Sequence, residues 1–219
     1  IFSYSIFHNY YVMKKIILII IYTIFWRNFL RIFIGLQYFN NKSLRNIKQF
    51  ILIANHNSHM DTMALMSAIP SRFIHRVHPI AARDFFGGSL FSRILMRYLV
   101  NATLIRRDRE NPERDPIDDM DKMLKKQRSL ILYPEGSRGI PGKMSNFKRG
   151  LGYLVQRNPN INVIPVYLEN IYKTLPKGKK LILPYNCSIK FGQPIKFNSL
   201  EMEDILKTAE KEILKIKES

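Results

Sequence analysis

Phe50-Ile51-Leu52-Ile53-Ala54-Asn55-His56-Asn57-Ser58-His59-Met60-Asp61 begins with five apolar residues and ends on an aspartate five positions after a histidine. The run Phe50 to Ala54 reads as a buried strand. A separation of five suits neither regular structure: on a helix it is roughly 140° past a full turn, and on a strand it points to the opposite face. The two side chains meet only if a turn intervenes, with His56 at the strand's end and Asp61 entering the next helix. A carboxylate that orients an imidazole and stabilises its protonated form is how proteins build a general base. An enzyme is therefore the leading reading. Taken blandly, Asp61 is only a helix N-cap.

A second segment strengthens the first. Leu132-Tyr133-Pro134-Glu135-Gly136-Ser137-Arg138-Gly139 also follows an apolar, strand-like run, Ser129 to Tyr133. Sites in α/β proteins gather at the carboxyl ends of strands. Two polar, turn-forming segments placed at such ends make a constellation.

These residues resemble a known family. Asn55-His56-x-Ser58-x-x-Asp61 is similar to the first signature of the glycerolipid acyltransferases, the lysophosphatidic acid acyltransferase family, and Tyr133-Pro134-Glu135-Gly136-Ser137-Arg138 to the third. Asn101-Ala102-Thr103-Leu104-Ile105-Arg106-Arg107 resembles the second signature, and Val163-Ile164-Pro165-Val166 the fourth. The second departs from the usual pattern, with Asn101 where glycine is common and Arg106 where an acidic residue often sits. Register favours Arg107 as the binding arginine. The resemblance spans about residues 50 to 170, and its first and third signatures are specific in combination.

The resemblance implies transfer of a fatty acyl group from a thioester to the free hydroxyl of 1-acylglycerol 3-phosphate, without an acyl-enzyme. His56 would be the base and Asp61 its partner. His59 competes for that role but lacks the partner spacing. Ser137 sits outside any nucleophile elbow, because Glu135 replaces the elbow's first glycine. Arg138, Arg107 and Lys148 are the candidates for phosphate or acyl carrier. Gly136 would allow close backbone approach, Ser137 belongs to the same binding loop, and Glu135 would orient an arginine or the glycerol hydroxyl. Asn55 and Ser58 are expected to fix the turn through backbone hydrogen bonds. No cofactor is expected; acyl-CoA or acyl carrier protein would enter as co-substrate.

Composition narrows the partners. At 219 residues and 46% hydrophobic, the chain can bury one sizeable core. Its formal net charge of +18 calls for an anionic partner. The basic residues are spread along the whole chain with no nucleic-acid-binding motif, so a membrane surface is favoured over nucleic acid. Cys187 is the single cysteine and excludes an internal disulfide. The histidines form no helical metal motif, so no metal site is expected. The alternatives are a basic module that binds anionic headgroups and has lost catalysis, and an acyltransferase for another lysolipid or for glycerol 3-phosphate.

The amino-terminal segment, residues 1–45, is expected to anchor the chain, and residues 46–219 to form the α/β domain. Ile16 to Trp26 carries no charge, and apolar character resumes around Arg27 and Arg31 up to Leu36. A span over this stretch would place Arg27 near the bilayer centre, at about 2.5–3.5 kcal/mol on insertion scales. Thr23, Arg27 and Arg31 share a stripe at i, i+4 and i+8, which suits an in-plane or re-entrant helix with the stripe at the headgroups. A true span and a soluble packing helix are the alternatives. Met13-Lys14-Lys15 looks like a signal-peptide or translation start, but no small-residue cleavage site follows. A retained anchor on the cytoplasmic face of the inner membrane is the expectation.

Apolar runs then alternate with helical patterns. Strands are expected at 50–54, 77–81, 102–105, 129–133, 163–167 and 187–191. Helices are expected at 61–69, 85–100, 116–126, 149–157 and 200–217. The alternation predicts an α/β fold, a mixed central sheet flanked by helices, with the membrane-associated helical segment in front.

Overall fold

The computed structural model describes residue 9 and residues 12–58, 60–82, 99–105, 115–139, 143–174 and 183–218. His59, Arg106, Arg107 and most of the helix expected at 85–100 lie outside the described residues.

Among the described residues, seven strands form one sheet: β1 (Gln37–Phe39), β2 (Phe50–Ala54), β3 (Val77–Ala82), β4 (Thr103–Ile105), β5 (Ser129–Leu132), β6 (Asn162–Glu169) and β7 (Ser188–Phe191). Their order is β1-β7-β6-β2-β5-β3-β4. All neighbours run parallel except β6 and β7, so the sheet is mixed. Central β2 is buried at every position, as expected of a parallel strand covered on both faces.

The covers are two helical layers. Phe50, Leu52 and Ala54 point to one side, where they pack with α1 (Val12–Ile34) and α2 (Met60–Ala68). Ile51 and Ile53 point to the other, against α3 (Pro116–Lys125), α4 (Gly150–Arg157) and α6 (Met202–Glu218). This period of two within a fully apolar run builds both cores from one strand. A short α5 (Ile171–Thr174) follows β6. The N-terminus of α3 is capped: Asp115 accepts the N–H of Ile117, with Pro116 in the first turn.

The expected division at residue 45 cuts across this packing. β1 pairs with β7 in register Tyr38 to Ile189, and Leu18, Tyr22, Leu30, Ile34 and Leu44 belong to the same core as β2. Three residues of β1 were too few to stand out as a periodic run.

The expected polar stripe on α1 is also corrected. Thr23 Oγ1 is buried. Arg27 turns inward, donating to the carbonyls of Ser67 at 2.7 Å and Ile69 at 3.0 Å. These carbonyls end α2, where a helix leaves acceptors unsatisfied and carries partial negative charge. Only Arg31 of the stripe is exposed. Within this helix, residues Ile19–Trp26 form a wide i→i+5 segment. The outward face is apolar instead, with Ile16, Ile20, Ile24, Phe25, Ile32 and Phe33 exposed. By length and composition, α1 is able to cross a membrane.

Candidate active site

β2 and β5 are parallel neighbours, with Ile53 opposite Leu132. The loops that follow them therefore leave the same edge of the sheet side by side. One carries His56 and Asp61; the other carries Tyr133 to Gly139.

The turn after β2 is held by its own polar groups. Asn55 donates to the carbonyl of Leu168 at 3.0 Å and accepts the N–H of Leu168 at 2.7 Å, tying the strand's end to β6. Ser58 Oγ accepts the N–H of Met60, at the start of α2. Asp61 enters that helix one residue later, and its Oδ2 collects three donors: Asn57 N–H and Ser58 N–H, each at 2.8 Å, and His56 Nδ1 at 2.9 Å. Backbone amides on one side and α2 on the other leave Asp61 only 1% exposed. Because the carboxylate accepts, Nδ1 is the donor nitrogen of the imidazole and Nε2 its basic one. The ring is partly exposed, at 19%.

The second loop braces the first. Glu135 Oε1 accepts the backbone N–H of His56 at 2.8 Å, and Oε2 accepts that of Ser145 at 2.7 Å. Its carboxylate is buried, at 2% exposure. Burial raises its pKa above the ordinary value, against the lowering by these two amide donors. Glu135 thus acts as a staple between the two loops, through one backbone N–H on each carboxylate oxygen. A carboxylate that bonds backbone of both loops leaves no such signature in a local stretch of sequence.

Gly139 N–H donates to the carbonyl of His56, closing the same junction. A Cβ on Gly139 would lie 3.1 Å from Glu135 Oε2. Gly136 sits at φ +79°, and a Cβ there would lie 3.1 Å from Lys148 Cγ. The stem of Lys148 thus lies over Gly136, with its N–H donated to the carbonyl of Pro134. Arg138 is half-buried, while Ser137 and Lys148 are exposed. The structure brings His56, Asp61, Glu135, Gly136, Ser137, Arg138 and Lys148 onto one edge.

Two residues escape a reading of the sequence. The Tyr133 ring stacks on the His56 ring, with centroids 3.9 Å apart and planes 16° from parallel. Its hydroxyl lies 3.0 Å from Thr62 Oγ1, on the residue following Asp61. Strand adjacency alone makes the first contact, and no local pattern announces it.

Asn101, in the second signature-like segment, adopts φ +57°. Asparagine is among the residues besides glycine that visit this region most readily. Its amide donates to the carbonyl of Val77 at 2.8 Å. Nearby His75 and His78 are pushed down to about 4 and about 3, first by burial and then by surrounding cations. Both are therefore neutral near pH 7.

Residues 35–169 match the family model described as Acyltransferase. The chain is 28% identical to the 1-acyl-sn-glycerol-3-phosphate acyltransferase of Cocos nucifera, over 71% of this chain and 48% of that protein. Against 1-acyl-sn-glycerol-3-phosphate acyltransferase beta of Homo sapiens it is 25% identical, over 75% and 57% respectively. It spans about half the length of these curated relatives. The crystal structure of the 1-acyl-sn-glycerophosphate (LPA) acyltransferase from Thermotoga maritima superposes with a TM-score of 0.73 at 22% identity, covering 94% of this chain and 81% of that one. The two share a fold.

Proposed function

Since this chain belongs to the Acyltransferase family, we propose that it moves a fatty acyl group from an acyl thioester to the free hydroxyl of 1-acyl-sn-glycerol 3-phosphate, giving phosphatidic acid. The observation that carries this reading is the His56–Asp61 pair, 2.9 Å apart at the sheet's edge with the imidazole accessible and the carboxylate buried.

The chemistry follows from those atoms. An alcohol is a weak nucleophile at neutral pH. Nε2 of His56 takes the hydroxyl proton as the oxygen attacks the thioester carbonyl carbon. Asp61 offsets the charge that develops on the imidazole. The tetrahedral adduct collapses with cleavage of the C–S bond, and the imidazolium returns its proton to the departing sulfur. Base catalysis of this kind contributes about 10²–10⁴ in rate. The thioester brings its own leaving group, so no cofactor enters.

Arg138 and Lys148, beside Gly136 on the same loop system, offer cationic partners for the acceptor phosphate or the acyl carrier. Arg107 is proposed for the same task on the resemblance of its segment. Both coenzyme A and acyl carrier protein are anionic and suit the +18 chain. The apolar outward face of α1 would lie in the lipid of the cytoplasmic leaflet, with Lys14, Lys15 and Arg31 toward anionic headgroups.

Acyl-thioester consumption tests the reading, measured with the full chain in mixed micelles containing 1-acylglycerol 3-phosphate. Wild type should turn over, and His56→Ala should fall by about 10²–10⁴. Equal background rates in both would favour a headgroup-binding module instead.

A further inference from the structure

The Tyr133 side chain touches the candidate base without touching its proton. Three contacts define its place. Its ring lies flat against the His56 imidazole at 3.9 Å. Its hydroxyl meets Thr62 Oγ1 at 3.0 Å. Its backbone carbonyl accepts the N–H of Gly136, at the turn of the next loop. Thr62 in turn follows Asp61 directly in α2. The two groups that hold the imidazole, the Asp61 carboxylate at its Nδ1 edge and the phenol against its face, are therefore tied to each other through the first turn of one helix.

We propose that Tyr133 and Thr62 form a positioning unit for His56, the phenol fixing the plane of the imidazole and the Thr62 hydroxyl fixing the phenol. This rests on His56 being the base. A single hydrogen bond at Nδ1 leaves the ring free to swing about that bond, which moves Nε2 out of line with an incoming hydroxyl. A plate against one face removes that freedom. The plate itself would slide or tilt without an anchor at its far end, and Thr62 supplies one. The plate comes from β5 and the anchor from α2, so the unit also registers the two loops against one another. Near-attack geometry is sensitive to such shifts: about 1 Å of misplacement can cost ~10²-fold in rate. Neither residue contacts the reacting atoms in this scheme, so both act through His56.

Two measurements on the full chain in micelles test the unit. The first is steady-state kinetics with acyl-CoA and 1-acylglycerol 3-phosphate for wild type, His56→Ala, Tyr133→Leu, Tyr133→Phe, Thr62→Val and the double variant Tyr133→Phe/Thr62→Val. The second is the proton spectrum of the His56 ring, whose resonances should lie upfield in wild type because of the stacked phenol's ring current. Tyr133→Leu should lower kcat by about 10–100-fold with KM little changed, and should move the His56 resonances downfield. Tyr133→Phe keeps the plate and loses only the anchor, so it should restore most of the rate and retain an upfield position. Thr62→Val should match Tyr133→Phe, and the double variant should be no worse than either, because both singles remove one shared bond.

Additive losses in the double variant, or a Tyr133→Leu protein with wild-type kcat, would overturn the unit while leaving the base reading intact, provided His56→Ala is inactive. Wild-type turnover by His56→Ala would overturn the base reading, and the unit with it. If Tyr133→Leu fails to fold, the Tyr133→Phe and Thr62→Val pair still decides, since both retain the side-chain volume.

Discussion

The carboxylate of Glu135 accepts the backbone N–H of His56 at 2.8 Å, joining two loops that are 79 residues apart in the chain. Its other oxygen holds Ser145, so one buried side chain sets the spacing of both motif-bearing loops. Glu135→Gln presents one oxygen and one amide nitrogen to two N–H donors, leaving one bond unmade. We expect a loss of about 1.5–3 kcal/mol, the range for hydrogen bonds to charged groups, read by chemical denaturation.

The same carboxyl predicts a pH effect. Burial raises its folded pKa above the ordinary glutamate value of about 4.5, so between that value and the raised one the folded state holds more protons than the unfolded one. Stability contributed by this group is then complete below about 4.5 and declines as pH rises through that window. Denaturation curves across the window should show wild type losing stability relative to Glu135→Gln with rising pH. An unchanged difference would mean that Glu135 titrates alike in both states.

Asp61 holds the His56 ring and two backbone amides with one oxygen. Asp61→Asn removes the charge that offsets the imidazolium. Turnover should fall by ~10²-fold or more, and the double variant with His56→Ala should be no slower than His56→Ala alone, as expected of residues that act together. Multiplying losses would separate their roles.

Gly136 occupies φ +79° under the Lys148 stem. Gly136→Ala should cost about 1–2 kcal/mol for the left-handed conformation, seen as a lower denaturation midpoint.

Arg138 is a proposed partner for the acceptor phosphate, which a substitution can test. Arg138→Ala should lower kcat/KM for 1-acylglycerol 3-phosphate by at least about tenfold, the loss of a charge-assisted bond, and affect a neutral monoacylglycerol far less. Equal losses on both acceptors would remove the phosphate from its account.

Arg27 and Arg31 should separate fold from membrane. Arg27 bonds the carbonyls of Ser67 and Ile69, so Arg27→Gln should reduce stability by about 1.5–3 kcal/mol and leave salt-sensitive vesicle binding alone. Arg31→Gln should do the reverse, with sedimentation on anionic vesicles as the assay. Ile24→Ser with Phe25→Ser, on the exposed face of α1, should weaken vesicle binding at every salt concentration.

Much of this molecule could be read from short stretches. Six of the seven strands among the described residues were marked by apolar runs; β2 and β5 are buried at every position, and a strand covered on both faces must be apolar throughout. β1 was missed because Gln37–Phe39 is too short and too exposed to show a pattern. The His56–Asp61 contact was legible for a related reason. It spans one turn, and local backbone geometry already limits what two side chains five residues apart can do.

By itself, then, the sequence determined six strand positions and the imidazole–carboxylate pair, products of local stereochemistry and of which residues avoid water. The tertiary structure alone decided that β5 lies beside β2, which lays Tyr133 on His56 and brings Glu135 to its amide, and that Arg27 ends α2 rather than facing lipid. Those contacts depend on strand order and helix register. These come from the packing of the whole core and are encoded in no single stretch of the chain.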